Sequence, residues 1–228
     1  MRLKFSGECF IPGNSTKICQ EEHFERYLFA SNFVCGKRVL DIACGEGYGS
    51  KILIDANASS VLGCDISESN ITHAIAQYKS NNLEYKVKDI TKPILEGEFD
   101  IIICFETIEH VDDFKSALYN LYISLKKDGK LIISSPNRKI TNPYLRANER
   151  ASDYHIREFT IDELLFHLNE NYFEFIEIYG QRQQKYFKHP FFEKHYKRLF
   201  KPSQNASPKV ERIREGLAPE YFVAIVKK

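Results

Sequence analysis

Through the first 135 positions of the chain, short apolar runs alternate with longer segments in which apolar residues recur every three or four positions. The short runs are β-branched and aliphatic and are bounded by glycine or polar turns, as strands buried in a sheet are. They predict strands over 38–43, 60–64, 83–87, 99–104 and 130–134. Helices are predicted over 67–79 and 112–126. The second rests on one apolar face of Phe114, Leu118, Leu121, Tyr122 and Leu125, with Gly129 as its stop signal. Strand and helix in alternation imply a parallel sheet, because parallel neighbours need a crossover between them.

After Pro136 the rhythm changes. A polar loop to Arg157 leads into a helix announced by Thr160 and Glu163 at capping-box spacing. Strands are then predicted over 172–179 and 221–226, and with no helix marked between them an antiparallel pairing is expected. At the other end, 21–34 has the character of a helix that covers the ligand side of the sheet. One α/β domain over 1–228 is therefore expected: a helical cover (1–36), a core (37–180 with 219–228) and a basic, aromatic cap insertion (181–218).

Composition narrows the setting. At 43% hydrophobic and 28% charged, 228 residues suit a single folded domain with a substantial core. The longest apolar runs are strand-sized, so no membrane-spanning helix is expected, and Ser6, Gly7 and Glu8 stand where a signal peptide needs an apolar stretch. The default expectation is a cytoplasmic protein. Its six cysteines show no paired metal spacing and are read as reduced thiols. The formal net charge of +1 hides an asymmetry, because 182–214 holds ten Lys or Arg against two Glu.

The chemistry begins at Val39-Leu-Asp-Ile-Ala-Cys-Gly-Glu-Gly-Tyr-Gly49, a strand running into a turn with glycines at alternate positions. Such a turn brings the backbone of Ala43, Gly45 and Gly47 close to a ligand at a helix mouth. A dinucleotide fingerprint would place a third Gly or Ala at position 50, which here is Ser50. Carboxylates instead follow successive strands, as a cationic sulfonium cofactor requires. Asp41 is placed to hold the ammonium end, Asp65 both ribose hydroxyls, and Asp89 the adenine amino group, with Ile66 and Ile90 on the two faces of the ring. Tyr27 and Tyr48 are expected to line the site, with Arg26 or Tyr27 within reach of the cofactor carboxylate. Each acid taken singly is also an ordinary strand-end or cap residue.

Together VLDIACGEGYGS, the Asp65 strand end, KVKDI and FDIIICFETIEHV resemble the class I S-adenosylmethionine-dependent methyltransferases. The resemblance implies a Rossmann-like, seven-stranded, mostly parallel sheet with an antiparallel last strand and helices on both faces, and S-adenosylmethionine as cofactor. GECFIPG, EEHFERYLFA, SPN and HIREFT are also similar to bacterial methyltransferases of surface-glycan and O-antigen pathways, which implies a sugar hydroxyl as methyl acceptor.

A hydroxyl must lose its proton as it is methylated, so a base is needed near the end of the fourth strand. Glu106, Glu109 and His110 lie at i, i+3 and i+4, where one helical turn would put them on one side. His110 is the first choice as general base and Glu109 as its orienting group, with Glu106 facing the cofactor and His155 a second base candidate. The same residues resemble the magnesium site of small-RNA 3′-terminal 2′-O-methyltransferases, so a divalent metal is a less favoured alternative. Histidines that merely cap the loops are another. RNA would suit the basic aromatic stretch, but the near-neutral whole favours a small-molecule or glycan acceptor. A non-catalytic S-adenosylmethionine-binding subunit stays open. An NAD-dependent oxidoreductase is disfavoured by the missing third glycine.

Overall fold

The computed structural model describes residues 16–147, 149–152, 155–185 and 206–228. Its strands are β1 (Arg38–Ile42), β2 (Ser60–Asp65), β3 (Leu83–Val87), β4 (Phe99–Cys104), β5 (Leu125–Pro136), β6 (Glu174–Lys185), β7 (Glu211–Arg212) and β8 (Leu217–Lys227). The helices are α1 (Lys17–Ser31), α2 (Tyr48–Asp55), α3 (Glu68–Gln77), α4 (Phe114–Ser124), α5 (Arg138–Thr141) and α6 (Ile161–Glu170), with a 3-10 turn at Ile108–His110.

The strands form one sheet in the order β3-β2-β1-β4-β5-β8-β6-β7. The first five pair in parallel, and β8 enters antiparallel between β5 and β6. Period-two alternation sorts each strand into two cores. Leu40, Ile102 and Ile133 pack under α4 and α6, while Val39, Ile101, Ile132 and Val223 pack under α1 and α2. Asp41 has the parity of Val39 and therefore points to the α1 and α2 side. Chain order reverses between β1 and β4, so their carboxyl ends flank the crevice where open α/β sheets bind ligands.

The expected Rossmann-like sheet with helices on both faces is present, and among the described residues it carries eight strands rather than seven. The extra one, β7, has two residues and pairs only with Tyr179 and Gly180 at the edge. Part of the expected cap is strand instead: β6 continues to Lys185 and β8 starts at Leu217, because the two pair along nearly their whole length. Residues 186–205 of the basic stretch, and the opening GECFIPG, lie outside the described residues.

Gly129 is not the stop of α4. That helix ends at Ser124, and Leu125 already pairs with Phe99. The glycine serves β5, where a Cβ would come 2.8 Å from the Lys126 carbonyl oxygen. Among the described residues no helix is long and apolar enough to cross a membrane. Among the described residues Cys35, Cys44, Cys64 and Cys104 are free thiols.

The capping box at α6 is complete: Thr160 Oγ1 accepts from Glu163 N, and Glu163 Oε2 accepts from Thr160 N at 2.8 Å. Thr160→Ala removes one half of it and should cost about 1 kcal/mol of stability in urea unfolding; an unchanged midpoint would show that α6 is held by packing alone.

Candidate functional site

The crevice is built on a buried carboxyl. Asp41, 1% exposed, accepts from Tyr27 Oη at 3.0 Å and from Ser50 Oγ at 2.6 Å. Burial pushes its pKa up to about 7 against the opposing effect of these two hydrogen bonds. No Lys or Arg among the described residues forms an ion pair with it. Ser50, the departure from the dinucleotide fingerprint, is thus one of its two donors. The other donor, Tyr27, lies so close to the turn that a Cβ on Gly49 would be 2.1 Å from its ring.

The turn itself is held in an unusual backbone. Ala43, Gly45 and Gly47 all have positive φ, of 62°, 56° and 97°. For alanine this is a strained conformation of the kind that recurs at ligand sites. Glycine is required at 47 by space as well, since a Cβ there would stand 2.6 Å from Ala74 Cβ. Glu46, between the glycines, is buried and bound to α3 through His73 at 3.0 Å and Tyr78 at 2.8 Å.

The other expected cofactor residues are placed as follows. Asp65 accepts from Gly45 N and Ser67 N, each at 2.9 Å, so it joins the glycine turn to the start of α3. A carboxylate has about four lone-pair sites, which leaves capacity for further donors. Asp89 follows β3 and accepts from Thr91 N and Oγ1. Ile66 is 71% exposed and has the free surface that a planar ring needs. Ile90 is instead packed in the α4-side core, so little of it is available to such a ring. Tyr48 opens α2 and stacks edge-on to Tyr27, with ring centroids 5.3 Å apart.

Arg26 is buried inside the protein. Its Nη1 donates to Gln181 Oε1 at 2.6 Å and lies 4.0 Å from Glu106 Oε1. Gln181 Nε2 returns to the Glu22 carbonyl at 2.9 Å, and Arg182 pairs with Glu22 at 3.1 Å. Burial pushes Glu22 up to about 7, although Arg182 and Arg26 oppose it. The sequence singled out Arg26 and Glu106 but not Gln181, which lies 155 positions from Arg26.

At the end of β4 the geometry corrects one expectation. Glu106, Glu109 and His110 do not share one helical turn, because the turn begins only at Ile108 and Glu106 precedes it with φ of 48°. Glu106 Oε1 accepts from Ser134 Oγ at 2.6 Å and faces Arg26. Glu109 turns inward beside Ser135, fully buried, with Oε1 unpaired. Burial, reinforced by the nearby Glu106 charge, holds its carboxyl well above the usual range. His155 arrives from the loop after β5, its ring 4.9 Å from that of His110. Donor atoms of Glu109, His110 and His155 lie within 4.8 Å of one another, a group without Glu106.

Residues 40–133 match the family described as "Methyltransferase domain". A "Probable S-adenosylmethionine-dependent methyltransferase" of Mycolicibacterium smegmatis is 27% identical over 184 residues, covering 78% of this chain and 68% of that protein. A ubiquinone biosynthesis O-methyltransferase of Coxiella burnetii is 40% identical over 106 residues, 45% of each chain. The chain thus spans under half the length of that relative. The N-methyltransferase NodS of Bradyrhizobium japonicum, solved with S-adenosyl-L-homocysteine, superposes with a TM-score of 0.63 at 14% identity, covering 94% of this chain and 89% of that one. At that identity the likeness concerns the fold.

The buried acid has a measurable signature. Its folded pKa lies above the unfolded value near 3.8, so its contribution to stability is full below that pH and is lost as pH rises through about 7. In calorimetry of the ligand-free protein, Asp41→Asn should flatten the fall in melting temperature between about pH 4 and about pH 7; identical slopes in the two proteins would overturn the assignment. Gly49→Ala should displace Tyr27 and cost about 1–3 kcal/mol in denaturant unfolding, and a neutral result would mean that α1 is not docked as described. The domain match over residues 40–133, the relatives, the sheet order and the position of the glycine turn agree in supporting a class I S-adenosylmethionine-dependent methyltransferase.

Proposed function

We propose that this protein transfers the methyl group of S-adenosylmethionine to a hydroxyl oxygen of a small acceptor, a sugar hydroxyl being the class that its loops favour. One observation carries the proposal: two imidazoles and a buried carboxyl converge past the carboxyl ends of β4 and β5, with β4 paired to the strand that leads into the glycine turn. A neutral amine can attack the methyl carbon with its own lone pair. A hydroxyl is a weak nucleophile until a base takes its proton, and an imidazole is suited to that near neutral pH.

The remaining residues divide the work. Asp41 and Asp65 orient the cofactor from the turn, and Asp89 and Ile66 receive its adenine side. Much of the rate comes from holding the acceptor oxygen in line with the sulfur–methyl bond, about 3–3.5 Å from the carbon. The O-methyltransferase names among the relatives support an oxygen acceptor. The sugar assignment rests on the resemblance of the SPN and HIREFT segments, which meet at the Asn137–Phe159 bridge in the loop that carries His155.

Methyl-labelled S-adenosylmethionine, incubated with the purified protein and parallel panels of nucleotide-linked sugars, free amines and structured RNA, tests the assignment. Label should enter the sugar panel, and replacement of both His110 and His155 by Ala should abolish transfer with cofactor affinity retained. Label in amines or RNA alone would sink the sugar-hydroxyl assignment.

A further inference from the structure

Two histidines at the site leave open which imidazole nitrogen takes the proton, and the loop after β5 distinguishes them. That loop leaves the sheet at Pro136 and returns at Phe159, where Asn137 and Phe159 form an isolated bridge. Asn137 is fixed to the antiparallel strand by N to the Glu220 carbonyl at 2.8 Å and by Nδ2 to the Pro219 carbonyl at 2.9 Å. The residue immediately before Phe159 is therefore held against the sheet.

Glu158 is the residue so held. It is 3% exposed, and its carboxylate is filled from three directions. Oε2 accepts from Thr141 Oγ1 and from Asn142 Nδ2 at 3.0 Å, while Oε1 lies 2.9 Å from His155 Nδ1. With Thr141 and Asn142 both donating to Oε2, the group is arranged as a carboxylate that only accepts, so the hydrogen of the shared bond sits on His155 Nδ1. In a neutral imidazole the lone pair is then on Nε2. The ring keeps 30% exposure and faces His110.

We propose that Glu158 is a positioning residue that fixes His155 as the Nδ1–H tautomer, and that His155 Nε2 accepts the proton of the acceptor hydroxyl. The step rests on the hydroxyl-methylating function proposed above. The O–H bond breaks with its proton going to Nε2, the oxygen forms a bond to the methyl carbon, and the sulfur–methyl pair stays on sulfur. The products are a methyl ether, S-adenosylhomocysteine and an imidazolium that Glu158 stabilises. His110 then serves as a packing partner that limits the tilt of the His155 ring.

The tautomer can be read without any acceptor. Heteronuclear NMR of the imidazole nitrogens in the full chain at mildly alkaline pH, with His155 assigned by loss of its signals in His155→Gln, should show hydrogen on Nδ1. Glu158→Gln should shift His155 toward the Nε2–H form, with S-adenosylmethionine affinity unchanged and turnover on the hydroxyl acceptor reduced about 10²–10⁴-fold. Hydrogen on Nε2 in the wild type overturns the proposal, and this holds even if the variant does not fold. A shifted tautomer with undiminished turnover removes His155 as the base. Wild-type turnover abolished by chelation and restored by a divalent ion overturns it too, by placing a metal on Nε2. An Nδ1–H tautomer together with methylation of amines alone would leave Glu158 as a positioning residue and would count against the hydroxyl acceptor.

Discussion

A carboxyl group buried without a cation sets the architecture around it. Removing a carboxylate from water costs several kcal/mol unless a charge or enough donors compensate. Tyr27 and Ser50 offer Asp41 two hydroxyls, which lower the cost without cancelling it. Those two contacts then constrain their surroundings. Reaching Asp41 brings the Tyr27 ring over position 49, where only glycine leaves room, and docks α1 against α2. A cationic ligand beside it would supply the charge that no described Lys or Arg brings to this acid.

The roof over this acid is polar where most helix contacts are apolar. The buried residues of α1 are Glu22, Arg26, Tyr27 and Ala30, so three of the four carry polar groups. Arg26 with Gln181, and Glu22 with Arg182, tie that face to β6. Buried pairs of this kind add little net stability compared with apolar packing, but they penalise any other docking of the helix, because a misplaced Arg26 would be buried without its acceptor. The result is an α1 that is specified in position more than it is held by hydrophobic area.

The parallel half of the fold was legible because it is written in local periods. β3 and β4 have the bounds that the apolar runs predict, and the Thr160–Glu163 spacing is a complete capping box. Legibility failed where geometry depends on pairing partners. Gly129 follows a helix in sequence but belongs to a strand, since Leu125 finds Phe99 before any helix cap forms. The spacing of Glu106 to His110 suggested one helical face, yet the left-handed residue at 106 sends it to Ser134 and Arg26 instead. Glu158 lies in the HIREFT segment with no spacing signal of its own, because its surroundings come from Thr141, Asn142 and the sheet edge. Ile66 and Ile90 follow their strands in equivalent ways, and only tertiary packing separates an exposed residue from a core one.

The Arg26–Gln181 hydrogen bond also orders events in time. Ribosomes extend a chain at about 5–20 residues per second, and contacts of long sequence separation form late. Arg26 emerges early and cannot meet Gln181 until 155 further residues have been made, and β8, which lies between β5 and β6, comes later still. The five parallel strands can therefore assemble on the nascent chain with α1 seated through Tyr27 and Asp41 alone. The tie from α1 to β6 is a late step in biogenesis, and a ribosome-bound fragment ending before residue 181 would leave Arg26 without its Gln181 acceptor.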